Sequence, residues 1–363
     1  NIVTVDANMD RDSGYGTVYA GELPISERTI EIDTRRLPHI FTKFGYIMGL
    51  PHPMLEMTKI PRFPGYKDVV LMRGEFSYAE ENINPRAGAA YDNALTYLYL
   101  KVEENPTFYD TVSNAAQAAY NKLAMHLNRL KRQRARGIDV NYDLIELYLQ
   151  EYKSADEFAA ALSENERVDM ERILQPHNAK VISEITAMIL GYASYREFFT
   201  AIHGNSVSTM AAANSLRNTV KYRSIDFKKN EARELIGSTM YDPEPEPATM
   251  IGERGARWIL QPENQVILRE EIKVLLQSIA NGYTNISFFF PFVATPDELN
   301  QLLVVLREEE VKMSRLLDKP VYFREVGMMV ELPSNVVLAD EYIDVLDKHK
   351  KEQIAYFQEH YNE

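Results

Sequence analysis

Five short apolar runs, each ending in polar or charged residues, limit what this chain can fold into more than any other feature. They are KFGYIMGL (43–50), KDVVLMRGEF (67–76), NTVKYRSIDF (218–227), TNISFFFPFV (284–293) and VYFREVGMMVELP (321–333). Runs apolar on both faces suit strands of a parallel sheet covered by helices. Amphipathic helical patterns lie between them. ENQVILREEIKVLLQSIANG closes on Gly282, and TPDELNQLLVVLREEEVKMSRLL opens on Thr295 as N-cap with Glu298 three residues later. Strands alternating with helices predict an α/β fold of the β/α-barrel type, in which ligand chemistry gathers at the C-terminal ends of the strands. Arg73, Arg223 and Glu331 occupy that place in their runs. A carboxylate ending a core-filling run costs several kcal/mol, roughly, unless something meets it. Glu331 is therefore expected to have a partner or a metal.

The remaining segments read differently. Residues 110–200 are rich in Ala, Leu, Glu and Arg and predict a helical insertion. Its basic stretch HLNRLKRQRARG could contact nucleic acid, but Glu146, Glu151, Asp156 and Glu157 follow, and a solvated helical face is the better reading. At the start, VDANMDRDSGYGTVYAGELPISE reads as short strands and turns around Gly14, Gly16 and Gly21. Asp6, Asn8, Asp10 and Asp12 imitate the opening of a calcium loop. However, Arg11 stands where that loop needs Gly, and Thr17 where it needs a bidentate Glu. DPEPEPAT (242–249) is a Pro-rich acidic loop. In the C-terminal helical tail, Ile343, Leu346, Ile354 and Phe357 could form an apolar face that packs on the sheet or on a partner.

Composition excludes several classes of function. A net charge of −13 argues against nucleic acid as a general partner, and the absence of cysteine removes disulfides, thiolate metal sites and thiol nucleophiles. No apolar run approaches the roughly 20 residues of a membrane span. A cytoplasmic chain with no membrane partner is expected, assembled as a homo-oligomer.

Several stretches, in order, resemble the phosphoenolpyruvate (PEP) synthase branch of the PEP-utilising enzymes. GYTNISFFFPFVATPDEL and VGMMVELPSNVVLADEY carry the likeness most clearly. VVLMRGEF followed by NPRAGAAYD, YREFF before VKYRSIDFKKNEARELIG, and MIGERGAR agree with it. The opening GTVYAGELP resembles the last strand of a swivelling phosphohistidine domain. The likeness covers most of 1–25, 68–95 and 195–345.

The resemblance implies a PEP/pyruvate-binding β/α (TIM-like) barrel, partial or diverged, with a large helical insertion and a short N-terminal β segment. The corresponding parts are 1–34 (end of the swivelling domain and linker), 35–109 (first barrel strands), 110–200 (insertion), 201–347 (further strands and the site) and 348–363 (helical tail). It also implies that Arg73, Arg223 and Arg254 clamp the phosphoryl group and carboxylate of PEP, as bidentate guanidinium groups suit. Glu331 then matches a Mg²⁺ ligand, and Asp226 and Asn230 match less certain polar positions. Pairwise, Arg73 with Glu75 and Arg223 with Asp226 could be plain ion pairs; as a set at strand ends, an anion site is preferred.

The implied reaction is pyruvate, water dikinase chemistry. Phosphohistidine passes its phosphoryl group to pyruvate, and ATP enters only through domains missing here. Departures from the family pattern are equally definite. No Asn-Asp strand with a second Mg²⁺ carboxylate follows Glu331, no Cys is present to protonate the enolate, and no phosphohistidine loop occurs. Asn84 stands where the family has His, and FGYIMGL matches poorly. Five readable strands cannot close an eight-stranded barrel. A fragment of a longer synthase or a diverged form is expected, and the chain alone is not expected to complete the reaction. The alternative is a non-catalytic relative that binds anions or serves assembly.

Overall fold

The computed structural model describes residues 3–6, 17–20, 44–48, 66–75, 82–138, 144–189, 191–213, 219–242, 244, 248 and 253–361. They fall into two compact units, Asn1–Thr42 and Lys43–Glu363. In the first unit, β1 (Val3–Asp6) and β2 (Thr17–Ala20) pair antiparallel, Val3 opposite Ala20 and Asp6 opposite Thr17. The calcium-like positions Asn8, Asp10, Arg11 and Asp12 lie outside the described residues, as does most of the acidic loop 242–249.

The second unit is built on a five-stranded parallel sheet. Its strands are β3 (Phe44–Met48), β4 (Tyr66–Arg73), β5 (Val220–Arg223), β6 (Ile286–Phe290) and β7 (Val326–Met328), lying side by side in chain order. All five apolar runs therefore supply a strand, and helices separate β4, β5, β6 and β7, as expected. Among the described residues, however, the sheet is open, with β3 and β7 at its edges, and no closed barrel is seen. Between β4 and β5 the described residues form a succession of helices, the first starting at Pro85 and the last ending at Ala213. The first of these helices, Pro85–Glu104, is capped by Asn84, whose side chain accepts from the backbone N–H groups of Arg86 and Ala87 and donates to Ser238 Oγ at 2.9 Å. A residue that departs from the family pattern thus has a local structural role.

The sheet's interior face is aromatic. Phe288 lies between Tyr222 and Phe323, at ring distances of 5.8 and 5.2 Å, with Phe290 at 5.1 Å. Each fully buried side chain of this size contributes roughly 1.5–3 kcal/mol by leaving water. The crossover from β5 to β6 includes the helix Gln265–Ala280, buried on nearly all sides even though it carries Glu270, Glu271 and Lys273. It ends at Asn281 and Gly282, the latter at φ +104°. Thr295 caps the helix Pro296–Leu317 by accepting from Glu298 N, as the sequence predicts.

Two expectations need correction. VGMMVELP does not run through the core: β7 stops at Met328, and Met329 N makes the last ladder bond, to Phe290 O at 2.8 Å. Val330 is 71% exposed, Glu331 is exposed too, and a short helix, Pro333–Val337, starts at once. Glu331 therefore carries no burial cost. The tail is helical from Ala339 to Tyr361, but its buried stripe is Tyr342, His349, Gln353 and Phe357, while Ile343 and Ile354 face solvent. The reason is that the opposing helix Pro296–Leu317 offers polar partners. Arg307 donates to His349 O, and Gln353 donates to the buried Glu310 and to Phe323 O. Satisfied polar groups can then occupy the seam.

Candidate anion site at the strand ends

Arg73 and Arg223 are the last residues of neighbouring parallel strands and stand directly opposite in register. Just beyond them, Gly74 N donates to Arg223 O at 3.2 Å and Ser224 N donates to Phe289 O at 2.9 Å, so both strand ends are tied into the sheet. Arg254 arrives from elsewhere, as the extended residue before the short helix Gly255–Ile259. Gly255 has φ +65°, and a Cβ there would lie 2.3 Å from that of Phe292. Only glycine permits this turn to close on Phe292. The Arg254 guanidinium in turn lies 3.9 Å above the Phe292 ring.

The three predicted arginines are joined by two carboxylates. Glu75 Oε1 accepts from Arg73 Nε at 2.9 Å and from Arg223 Nη2. Asp226 Oδ2 lies 3.3 Å from Arg223 Nη1, and Arg254 Nη2 reaches both Asp226 oxygens at 2.8 and 2.9 Å. The result is an alternating chain, Arg73–Glu75–Arg223–Asp226–Arg254, with three cations and two anions. Both pairings anticipated as plain ion pairs exist, and they are links of one cluster. Its centre is buried, with the Arg223 side chain 7% exposed, whereas Arg73 at 42% and Arg254 at 30% open to solvent. Arg223 Nε and Glu75 Oε2 are buried without a hydrogen-bond partner.

Glu331 does not belong to that charge chain. Its Oε1 accepts from Phe292 N at 2.8 Å, and its backbone N–H, like that of Leu332, donates to Asn335 Oδ1. Phe292 thus connects Arg254, stacked on its ring, with Glu331 at its amide, and its own φ is +47°. Among the described residues, no three His, Asp or Glu side chains are placed to hold a metal. One exposed carboxylate with an oxygen to spare fits a Mg²⁺ that keeps most of its waters and takes further oxygens from a ligand. It does not fit a preformed protein cage. Asn230 lies in the short helix Lys229–Ala232, and its side chain is outside the described ones.

Sequence reasoning missed two residues here. Phe292 sits where the run SFFFPF leaves the sheet. Glu271 lies behind the site on the buried helix, where its carboxyl accepts from Tyr222 OH, Ser224 Oγ and Ile225 N. Burial, with no cation bonded to it, pushes this carboxyl up to about 8. The one available signal was an acidic doublet inside the apolar helix VILREEIKVLL. A separate cavity of about 480 Å³ lies among the helices, lined in part by His126, Arg129, Glu197 and Gln277, and contains none of the strand-end residues.

The stretch that carries most of this arrangement is similar to known proteins. The family described as PEP-utilising enzyme, PEP-binding domain, matches residues 178–348. The chain is 28% identical to the phosphoenolpyruvate synthase of Aquifex aeolicus over 340 residues, covering 93% of this chain and 33% of the relative. It is 34% identical over 166 residues to the phosphoenolpyruvate synthase of Neisseria meningitidis, covering 46% of this chain and 20% of the relative. It is 36% identical over 129 residues to the probable phosphoenolpyruvate synthase of Staphylothermus marinus, covering 35% of this chain and 14% of the relative. The chain therefore spans a third or less of the length of these relatives. Arg223, Asp226, Arg254 and Glu331 all lie inside the matched stretch. Residues 178–348, and with them most of the strand-end cluster, are thus similar to the PEP-binding domain of the PEP-utilising enzymes.

Proposed function

We propose that the strand-end cluster binds phosphoenolpyruvate and pyruvate as the substrate site of a phosphoenolpyruvate synthase. The observation that carries this reading is the convergence of Arg73, Arg223 and Arg254 at the C-terminal ends of a parallel sheet, with a buried and unpartnered Nε on Arg223. Guanidinium groups present paired N–H donors that match carboxylate and phosphoryl oxygens. In the ligand-free site, Glu75 and Asp226 hold those donors in place, leaving the five groups one positive charge in excess. Substrate oxygens would take over part of that role, first at the open arginines, Arg73 and Arg254.

The transferred phosphoryl group would come from a phosphohistidine carried by another domain of the longer synthase, with ATP entering only there. The acceptor is the enolate oxygen of pyruvate. Arg73, Arg223 and Arg254 would bind and orient the phosphoryl and carboxylate groups, and the buried position of Arg223 strengthens its hold by limiting water. Glu331 would hold Mg²⁺ through its second oxygen. When bound, this ion supplies Lewis-acid stabilisation of enolate charge.

Calorimetric titration of oxalate, a stand-in for the pyruvate enolate, tests this reading. Wild type is expected to bind, and Arg223→Ala is expected to weaken binding by roughly tenfold or more, since hydrogen bonds to charged groups contribute about 1.5–3 kcal/mol. If Arg223→Ala and Arg254→Ala both bind oxalate as wild type does, the anion site lies elsewhere.

A further inference from the structure

The helix Gln265–Ala280 carries two adjacent, fully buried acids with opposite surroundings. Glu270 is gripped by cations: Arg196 donates to both of its oxygens at 2.7 Å, and Lys273 donates to Oε1 at 2.9 Å. Glu271 meets hydroxyls and a backbone amide. Its Oε1 accepts from Tyr222 OH and, at 3.0 Å, from Ile225 N; its Oε2 accepts from Ser224 Oγ at 2.7 Å.

These donors interleave with the anion site. Tyr222 and Ser224 turn toward Glu271, while Arg223 between them turns to Glu75 and Asp226, as the period-two alternation of an extended chain requires. β5 ends at Arg223, and its last backbone bond to β6 comes from Ser224 N. Ile225 N, one residue further, is held by Glu271 instead. The carboxyl thus extends the sheet's control of the backbone as far as Asp226. It underlies the neighbouring strand end as well. A Cβ on Gly74 would lie 2.2 Å from the Tyr222 hydroxyl and 3.0 Å from Glu271 Oε1, so the absence of a side chain lets the Arg73–Gly74–Glu75 turn close over the Tyr222–Glu271 pair.

We propose that Glu271 is a positioning residue of this site: its hydrogen bonds to Tyr222, Ser224 and Ile225 set the backbone from which Arg223 and Asp226 address the substrate's anionic groups. The inference rests on the PEP-site reading and deepens it. Glu271 touches no substrate and acts through Arg223 and Asp226. With its carboxyl pushed up to about 8 by burial, it is protonated near neutrality, and glutamine is its closest replacement.

The test is oxalate affinity of the full chain by calorimetry, with thermal unfolding recorded for every variant. Glu271→Gln is expected to bind within about twofold of wild type, and Glu271→Leu roughly tenfold more weakly while still unfolding cooperatively. Should Glu271→Leu not fold, the double variant Tyr222→Phe with Ser224→Ala removes two of the three partners without orphaning hydroxyls, leaves the bond from Ile225 N, and is expected to lose affinity by roughly threefold or more. Rescue by glutamine at similar folded fractions separates positioning from mere stabilisation. Either folded disruptive variant binding oxalate as wild type does would overturn the proposal, even if Arg223→Ala loses binding and the PEP-site reading survives. Absence of oxalate binding by wild type removes the PEP-site reading and, with it, the role of Glu271.

Discussion

Two arginine–carboxylate networks lie in the same unit, and they are built to different ends. Around Glu270 every partner is used. Arg196 forks onto both oxygens, Lys273 adds a third bond, and Asp92 accepts from the backbone N–H groups of Tyr195 and Arg196. All of these groups are buried, and the cations hold Glu270 at about 2 despite its burial. At the strand ends, Arg223 and Glu75 each keep a buried polar atom without a partner, and the flanking arginines open to solvent. A saturated network stabilises a fold but has no hydrogen-bonding capacity left for a ligand. An unsaturated one gives up some stability and retains donors for an incoming anion.

The largest expected effect would break the first network. Arg196→Met leaves Glu270 with Lys273 alone, and removing one partner of a buried pair typically costs about 3–5 kcal/mol. Denaturant unfolding should register a loss near the lower end, because Lys273 remains. A loss below about 1 kcal/mol, the range of exposed pairs, would erase the contrast between the two regions.

Arg223→Met sharpens the contrast from the other side. Glu75 keeps Arg73 and Asp226 keeps Arg254, so its stability loss should be less than half that of Arg196→Met, while oxalate affinity falls roughly ten- to a hundredfold. Equal destabilisation by the two substitutions would mean that the strand-end network is structural as well.

Solution pH should divide the buried acids. Burial pushes Glu271 up to about 8, and Asp92 and Glu310 up to about 7. Each binds its proton more tightly folded than unfolded, so its contribution is complete below the ordinary carboxylate range and is lost as pH rises through 7 to 8. Glu270 has the opposite sign. Its contribution is present above the ordinary range and is lost as pH falls toward 2. The unfolding midpoint is expected to fall by several degrees between pH 6 and pH 9, and Glu271→Gln should flatten the upper part of that slope. A midpoint that rises across this interval would contradict the assignment.

The smallest effect belongs to Glu331. With one oxygen held by Phe292 N, Glu331→Gln should remove whatever tightening of oxalate binding Mg²⁺ brings, at most about tenfold, and leave metal-free binding intact. If Mg²⁺ has no effect on wild type, Glu331 serves the Phe292 turn alone.

How much of this was legible beforehand varies by element. The five strands could be read because short, β-branched and aromatic apolar runs bounded by polar residues suit strands of a covered parallel sheet, and β5 and β6 are buried nearly throughout. Arg73 and Arg223 followed from those runs, since the residue that ends a parallel strand is placed by the strand itself. Arg254 was legible only through the resemblance of MIGERGAR, because nothing local places a turn residue against β5.

What only the tertiary structure decided concerns partners distant in sequence. Whether the tail buried isoleucines or His349 and Gln353 depended on Arg307 and Glu310, some forty residues away on another helix. Whether Glu331 was buried depended on where the β6–β7 ladder stopped. Glu271 lies 46 to 49 residues from the groups it holds. Periodicity records which face of an element is apolar, whereas the fate of a buried charge depends on the donor set opposite it, and only the assembled sheet and helices supply that set.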